Sequence, residues 1–195
     1  MDYATRYDNW QNLPQVFYEK AAELGDAPLF WAKRYESWQS TSWAQARDEV
    51  TALARGLRAA GVARGDRVLL VSENRPEWGI ADLAIMAAGA ITVPAYTTNT
   101  VDDHIHLISD CEPKAAIVSS EQLAERLVPA IRSTGTVGTV VTIVGVSGQS
   151  ENISIINWRD MIRDAAALTD DIEAELSEIS RTDTSCLIYT SGTGG

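Results

Sequence analysis

The spacing of apolar residues alternates between two periods along most of the chain. Between residues 43 and 57 the apolar positions recur every three or four residues, which predicts a helix with one buried face. Ser42 precedes this stretch and Gln45 follows it by three residues, a pair typical of a capping box at a helix start. In contrast, the run Val68-Leu69-Leu70-Val71 is apolar without interruption, which indicates a strand buried on both faces.

This alternation of strands and helices continues to the end of the chain. Residues 29–31 and 38–41 are predicted to form a short antiparallel pair, and residues 147–152 are predicted to form an exposed loop. Further strands are predicted at 67–72, 91–95, 115–118, 137–144 and 185–189, with helices that begin near residues 42, 76, 100, 121, 157 and 172. We therefore expect an α/β fold, a doubly wound and mainly parallel sheet of at least five parallel strands with flanking helices.

The charge balance limits the classes of partner. The 195 residues include 16 basic and 27 acidic side chains, which give a formal net charge of −11. Nucleic acids and anionic membranes attract basic protein surfaces, so we expect neither of them as the main partner. A small anionic ligand can still bind, provided that backbone amides and hydroxyl groups hold it.

Cysteine usage and apolar run length favour a cytoplasmic protein. Cys111 and Cys186 match no zinc or redox spacing, so both thiols are expected to be reduced and buried. The first residues are not followed by the apolar core of a signal peptide. The most apolar segment, 80–96, contains Asp82 and Pro94 and is too short to span a bilayer, so no transmembrane segment is expected.

The clearest chemical signal comes from the six residues 190–195. An apolar strand, 185–189, leads into this run, whose members carry either a hydroxyl group or no side chain. Glycine lets the backbone approach an anion closely, and α/β sheets bind ligands at the carboxyl ends of their strands. Phosphate suits such a loop because it accepts several hydrogen bonds. The spacing matches neither a Walker A loop nor a dinucleotide fingerprint, and a flexible tail is the alternative interpretation.

The same run resembles a family motif. Residues 187–195, Leu-Ile-Tyr-Thr-Ser-Gly-Thr-Gly-Gly, are similar to the phosphate-binding loop of the adenylate-forming (AMP-binding) enzymes, whose pattern is Tyr-Thr-Ser-Gly-Thr-Thr-Gly-x-Pro-Lys-Gly. Upstream, Gly-Asp-Arg-Val at 65–68 resembles the family's Gly-Asp-x-Val strand. Ser-Glu-Asn-Arg-Pro-Glu-Trp at 72–78, Gly-Ala at 89–90 and Val-Pro-Ala-Tyr-Thr-Thr at 93–98 resemble the long-chain fatty acyl-CoA synthetase branch.

This resemblance implies an ATP-dependent long-chain fatty acid–CoA ligase. In such enzymes a fatty-acid carboxylate attacks the α-phosphate of ATP, pyrophosphate leaves, and the thiol of coenzyme A then cleaves the acyl-adenylate. Fatty acid, ATP and CoA are the implied small-molecule substrates, with Mg²⁺ as the implied metal. The resemblance implies a cytoplasmic location and leaves a peripheral association of the parent enzyme with the membrane open. The alternative is a non-catalytic α/β interaction or nucleotide-sensing module with a flexible C-terminal tail.

The family motif also assigns roles to individual residues. It implies that the loop binds the ATP phosphates and that the Thr190 hydroxyl contacts the metal, whereas no residue is expected to act as general base or nucleophile. Gly194 stands where the family usually has threonine, and the chain ends before Pro-Lys-Gly. We therefore expect residues 1–195 to be the N-terminal part of an AMP-binding domain, without the C-terminal domain, without ligase activity of its own and with a mobile loop. The implied phosphate ligands are Thr190, Ser191, Gly192, Thr193, Gly194 and Gly195.

Three other groups of residues have simpler interpretations than a site. His104 and His106 are two positions apart, so on a helix they diverge and cannot chelate one metal ion; we expect solvated or partly buried side chains. The six tryptophans are expected mainly in the core. The acidic run 170–178 lacks the glycine and spacing of an EF-hand, so it predicts a solvated helix face.

Overall fold

The sheet and its helices account for most of the chain. The computed structural model describes residues 9–145, 148–150 and 152–190. The helices are α1 (Leu13–Leu24), α2 (Trp43–Ala59), α3 (Pro76–Ala87), α4 (Val101–Cys111), α5 (Glu121–Thr134), α6 (Trp158–Ala165) and α7 (Ile172–Glu175), followed by a 3-10 turn at Leu176–Glu178. The strands are β1 (Pro28–Arg34), β2 (Ser37–Ser42), β3 (Arg67–Val71), β4 (Ile91–Ala95), β5 (Ala115–Val118), β6 (Thr139–Thr142), β7 (Gly148–Ser150) and β8 (Ile153–Asn157).

The main sheet has the order β4-β3-β5-β6-β8-β7. Its first five strands are mutually parallel, and β7 pairs antiparallel with β8 at the edge. Helices α1, α2, α3 and α6 pack on one face, and α4 and α5 pack on the other. The expected doubly wound α/β fold is confirmed, as is the separate antiparallel pair formed by β1 and β2.

The continuous apolar run of β3 serves both faces of this sheet. Val68 and Leu70 belong to the core on the side of α2 and α3, whereas Leu69 and Val71 belong to the core on the side of α4 and α5. All four side chains are fully buried. Successive residues of a strand point to opposite faces, so a strand covered on both sides has no position left for a polar residue.

Two elements lie where the sequence predicted none, and one predicted loop is partly a strand. Helix α1 starts at Leu13 behind the N-cap Asn12, whose side chain accepts a hydrogen bond from the Gln15 amide. Strand β8 pairs with β6, and β7, within the segment predicted as an exposed loop, pairs with β8. The loop prediction for 147–152 is therefore wrong for residues 148–150, because hydrogen bonds to β8 override weak local propensity.

The predicted helix starts at Ser42 and Thr100 are confirmed. Ser42 and Gln45 form the capping box of α2, and Thr100 forms one with Asp103 at the start of α4. Gly61, just beyond α2, has φ +90°, a left-handed conformation that glycine adopts without steric cost. The capping box at Ser42 depends on neighbouring residues only, which is why the sequence alone identifies it.

The acidic run is more than a solvated face. Glu173 pairs with Arg47 at 2.5 Å, and Glu175 pairs with Arg58 at 2.6 Å, both arginines belonging to α2. The backbone carbonyl of Asp170 accepts a hydrogen bond from Arg55 of the same helix. The run therefore holds α7 against α2. The paired residues are more than a hundred positions apart in sequence, so the sequence pattern does not predict these contacts.

The tryptophans divide between core and surface. Trp158 is buried, but Trp31 and Trp38 on the β1–β2 hairpin are 57% and 67% exposed, which contradicts the expectation of core positions for these two. The hairpin has only one face against the body of the protein, where the Phe30 ring lies against Gly79 of α3. A two-stranded ribbon packed on one side leaves every second side chain in solvent.

The turn of this hairpin has an unfavourable sequence. Arg34 pairs with Ser37, so Tyr35 and Glu36 form a two-residue turn, and their φ angles are +47° and +67°. A turn with two positive φ angles is the type I′ class, which favours Asn-Gly. Side chains larger than glycine pay a steric penalty in this conformation, and here neither residue is Asn or Gly.

We therefore predict that Tyr35→Asn combined with Glu36→Gly raises the free energy of unfolding by about 1–2 kcal/mol, since both residues then suit the turn. Denaturant unfolding should show a higher midpoint at an unchanged slope. Gln39→Gly, inside β2, is the matched control and should lower stability, because strand glycine loses more backbone entropy. A double variant no more stable than the parent would contradict the prediction.

Candidate functional site

The chain reverses direction across the sheet at β3, and this reversal defines a crevice. From β3 the chain crosses to β4 on one side, and β5, β6 and β8 then follow on the other side. Connections that leave two adjacent parallel strands in opposite directions open a gap at their carboxyl ends, and α/β proteins bind ligands there. The candidate site is therefore the edge of the sheet beyond the carboxyl ends of β3, β4 and β5.

A contact between Glu73 and Ser119 spans this gap. Glu73 follows β3 and Ser119 follows β5, and the buried Ser119 hydroxyl donates a hydrogen bond to the Glu73 carboxylate. This hydrogen bond, aided by the nearby Arg75 guanidinium, holds the pKa of Glu73 below its ordinary value. The crevice therefore contains a negative charge at neutral pH.

The last described segment joins the sheet beside β4. The Thr92 amide donates to the Ser185 carbonyl at 3.0 Å, and the Leu187 amide donates to the Thr92 carbonyl at 2.9 Å. These two bonds form a parallel bridge between Thr92 and Cys186. The chain therefore runs parallel to β4, towards the carboxyl edge of the sheet.

The predicted strand 185–189 is reduced to this one bridge, and Pro94 explains why. In a parallel ladder the next hydrogen bond would come from the amide of residue 94 to the carbonyl of Leu187. Proline has no amide hydrogen, so the ladder cannot continue. On its other side β4 pairs with β3, where Pro94 lies opposite Leu70 and no amide of Pro94 is needed for the ladder.

Side-chain packing holds the segment in place beyond the bridge. Leu187 and Tyr189 pack against the core next to α4, and the Tyr189 hydroxyl donates a hydrogen bond to the Asp110 carboxylate. Partial burial, together with this carboxylate, raises the pKa of Tyr189 above its ordinary value, so the phenol stays protonated. Cys186 points away from this core and is exposed, which contradicts the expectation that both thiols are buried; Cys111 is buried as expected.

Thr190 is the one predicted phosphate ligand within the described residues. It follows Tyr189 directly, is exposed, and lies beyond the bridge at the carboxyl edge of the sheet. The remaining predicted ligands, Ser191, Gly192, Thr193, Gly194 and Gly195, lie outside the described residues, as does the expected mobility of that part of the loop. Their convergence on a phosphate therefore stays a prediction.

Sequence reasoning missed two contacts that shape the crevice. One is the Glu73–Ser119 pair, and the other joins Arg126 of α5 to the Thr97 carbonyl at 2.7 Å, which fixes the loop after β4. The sequence indicates only that Glu73, Thr97 and Ser119 each follow a strand by one or two residues, and therefore lie at strand ends. Topology then decides which of these strand ends meet.

The described residues provide no preformed metal cage. Within the ranges 9–145, 148–150 and 152–190, no three His, Cys, Asp or Glu side chains come together as metal ligands. His104 is buried, which contradicts the expectation of a solvated or partly buried side chain, whereas His106 is exposed as expected. Burial lowers the pKa of His104, with a further contribution from Arg126, so this imidazole is neutral.

Several named proteins are similar in sequence to this chain. The long-chain-fatty-acid–CoA ligase FadD15 of Mycobacterium tuberculosis is 34% identical over 160 residues, which cover 81% of this chain and 25% of that protein. The phenylacetyl-CoA ligase epaB of Aspergillus niger is 39% identical over 100 residues, which cover 50% of this chain and 18% of that protein. The chain thus spans about a quarter or less of the length of these curated relatives.

Solved structures share the fold. The adenylation domain of a carboxylate reductase from Mycobacterium chelonae aligns with a TM-score of 0.74 at 18% identity, over 96% of this chain and 34% of that one. The anthranilate CoA ligase AuaEII, in complex with anthranoyl-AMP, aligns with a TM-score of 0.69 at 20% identity, over 95% of this chain and 32% of that one. At these identities the likeness concerns the fold alone.

The family match covers nearly the whole chain. Among the described residues, no helix combines the length and the apolar character needed to cross a bilayer. The family model for AMP-binding enzymes matches residues 17–195, which is nearly the whole chain. On this match, and on relatives that are CoA ligases by name, the chain belongs to the AMP-binding enzyme family.

Proposed function

We propose that this chain is the N-terminal part of an ATP-dependent long-chain fatty acid–CoA ligase of the cytoplasm, with residues 1–195 forming the first part of its adenylation domain. The observation that carries the proposal is the Thr92–Cys186 bridge, which directs the chain at the carboxyl edge of the sheet just before Thr190. Relatives named as long-chain fatty-acid ligases support the choice of substrate class.

The proposed chemistry has two steps. A fatty-acid carboxylate oxygen attacks the α-phosphorus of ATP, the bond to the bridging oxygen breaks, and pyrophosphate departs with that electron pair. The thiol sulfur of coenzyme A then attacks the acyl carbonyl, loses its proton, and displaces AMP. The first step places charge on the departing pyrophosphate, which backbone amides and hydroxyl groups can stabilise without covalent chemistry. We assign that role to Thr190, Ser191, Gly192, Thr193, Gly194 and Gly195.

The described residues fit a magnesium ion that is bound mainly by ATP. Mg²⁺ prefers oxygen ligands and keeps several waters, so it is usually held by substrate phosphates and one or two protein oxygens. The exposed Thr190 hydroxyl is one such oxygen, and Glu73 adds a negative charge at the same edge. When bound, the ion would supply positive charge to the phosphates, and Thr190 would hold it at the loop.

The first prediction concerns the chain by itself. With ATP, Mg²⁺, palmitate and coenzyme A, the purified 195-residue chain should release pyrophosphate at the background rate, because it holds only part of the proposed site. A polypeptide of the length of its curated relatives that contains this chain should turn over. Turnover by the 195-residue chain would refute the assignment to one part of a domain. An inactive long polypeptide would favour the non-catalytic interaction or nucleotide-sensing module.

The second prediction concerns the loop in that longer polypeptide. Thr193→Val removes one hydroxyl from the proposed phosphate cradle, so transition-state stabilisation should fall by about 1–3 kcal/mol, or roughly 5- to 150-fold in the adenylation rate. Exchange of labelled pyrophosphate into ATP measures this step. The control Thr184→Val changes an exposed threonine at the opposite end of the bridge segment and should leave the rate unchanged. Equal rates for Thr193→Val and the parent would exclude a phosphate role for this hydroxyl.

The third prediction concerns the charge in the crevice. Ser119→Ala removes the hydrogen bond that lowers the pKa of Glu73, so this pKa should rise towards its ordinary value. A lowered carboxyl pKa in the folded state stabilises the protein above the unfolded-state pKa and loses that effect as the pH falls through the folded-state value. The stability difference between parent and variant should therefore shrink in acid.

NMR titration of the Glu73 side-chain carboxyl carbon measures this shift. The neighbouring variant Ser120→Ala is the matched control, since Ser120 caps α5 and does not contact Glu73 among the described hydrogen bonds. Ser120→Ala should lower stability and leave the pKa of Glu73 in place. An unchanged pKa in Ser119→Ala would show that the hydroxyl does not hold this carboxylate.

A further inference from the structure

A cavity lies at the amino edge of the sheet, opposite the crevice. It has a volume of about 320 Å³ and is bordered by the start of α1, the end of α3 and residues 179–185. Arg64, which precedes β3, and Gly89 and Ala90, which precede β4, place it at the amino ends of these strands. Thr190 lies at the carboxyl edge, so the cavity is separate from the crevice.

Side-chain hydrogen bonds hold one wall of this cavity in place. The wall is the segment 176–185, which follows α7 and has no helix or strand beyond its first turn. The Asn12 side-chain amide donates to the carbonyls of Leu176 and Ile179, at 2.8 and 3.0 Å. These bonds join the start of α1 to a segment far along the chain, so the cavity is part of the tertiary structure.

Arg64 is positioned by contacts with two other segments. Its stem lies over Gly89, where an added Cβ atom would meet the Arg64 Cγ at 3.3 Å. Its Nη2 atom donates to the Glu178 carbonyl at 2.7 Å and to the Asp183 carboxylate at 2.8 Å. Both hydrogen bonds come from one nitrogen, so Nε and Nη1 have no acceptor among the described residues. The guanidinium therefore retains donors for a ligand in the cavity that it lines.

The lining combines apolar surface with positive charge. Two guanidinium groups, of Arg64 and Arg181, and one carboxylate, of Asp183, line the cavity in a chain whose net charge is −11. Small-molecule sites are typically apolar cavities with a few polar groups that fix the orientation of the ligand. The apolar side chains here include Trp10, Leu13, Met86 and Ile179.

We propose that this cavity binds an aliphatic monocarboxylate of short or medium chain length, at a second site separate from the crevice. The alkyl chain packs against Leu13, Met86 and Ile179, and its removal from water favours binding. The carboxylate accepts a charge-assisted hydrogen bond from Arg64, which orients the ligand. This inference does not depend on the proposed ligase activity.

The size and charges of the cavity favour this ligand over a nucleotide. Ligand pockets span roughly 300–1,000 Å³, so this cavity is at the small end of the range. A nucleotide needs several donors that converge on its phosphates. The Asp183 carboxylate lies beside Arg64, and it repels a phosphate with two or more negative charges more strongly than a carboxylate with one.

Two methionine methyl groups allow a direct test. Met86 lines the cavity, whereas Met161 of α6 lies against Gly56 of α2 and does not line it. The 195-residue chain, with carbon-13 in its methionine methyl groups, is titrated with sodium octanoate and with 1-octanol by NMR. Octanoate should shift the Met86 resonance until saturation and leave Met161 in place. Octanol should bind about tenfold more weakly, because it forms no charge-assisted hydrogen bond.

Variants separate recognition of the carboxylate from support of the wall. Arg64→Gln should weaken octanoate binding roughly tenfold and leave octanol binding unchanged. The control Arg163→Gln changes an exposed arginine that pairs with acidic residues of α6, and it should bind like the parent. Leu13→Ser should weaken both ligands, since it removes apolar lining at a position that is 60% exposed and outside the core.

Several results would overturn the proposal. It fails if octanoate leaves the Met86 resonance in place, if Met86 and Met161 shift alike, or if octanol binds as tightly as octanoate. It also fails if Arg64→Gln weakens both ligands equally, because the guanidinium would then only support the cavity wall. None of these measurements involves pyrophosphate release, so they decide this proposal separately from the proposed function.

Discussion

Burial of β3 on both of its faces is the constraint on which the rest of the structure depends. Its four consecutive apolar side chains contribute alternately to two separate cores, so helices must cover the sheet on both sides. Parallel strands joined by helices bring all their carboxyl ends to one edge. The loops after β3, β4 and β5 therefore meet there, and Glu73, Thr97 and Ser119 come into one crevice although their sequence positions are far apart.

The route of the chain into this crevice depends on two backbone hydrogen bonds. The Thr92 amide donates to the Ser185 carbonyl and the Thr92 carbonyl accepts from the Leu187 amide. Pro94 lacks the amide hydrogen that a third bond would need. This short bridge fixes the direction and the position of the segment that leads to Thr190. The Tyr189–Asp110 hydrogen bond provides a second attachment just before Thr190.

The hairpin differs in character from the chain as a whole. The chain has a net charge of −11, yet the β1–β2 hairpin exposes the two indoles of Trp31 and Trp38 and the phenol of Tyr35. Net charge acts at long range, whereas the environment of each side chain depends on what packs next to it. The overall charge therefore does not predict the character of this local surface.

The sequence by itself determined the elements whose causes are local. The capping box at Ser42, the helix start at Thr100, the buried strands and the α/β class follow from neighbouring residues and from periodicity, and the motif at 187–195 pointed to the AMP-binding family. Only the tertiary structure decided the rest. The pairing of β7 with β8, the exposure of Cys186 and Trp31, and the contact of Glu73 with Ser119 depend on which segments become neighbours. Such long-range contacts leave no trace in local spacing, because each depends on partners that folding alone brings together.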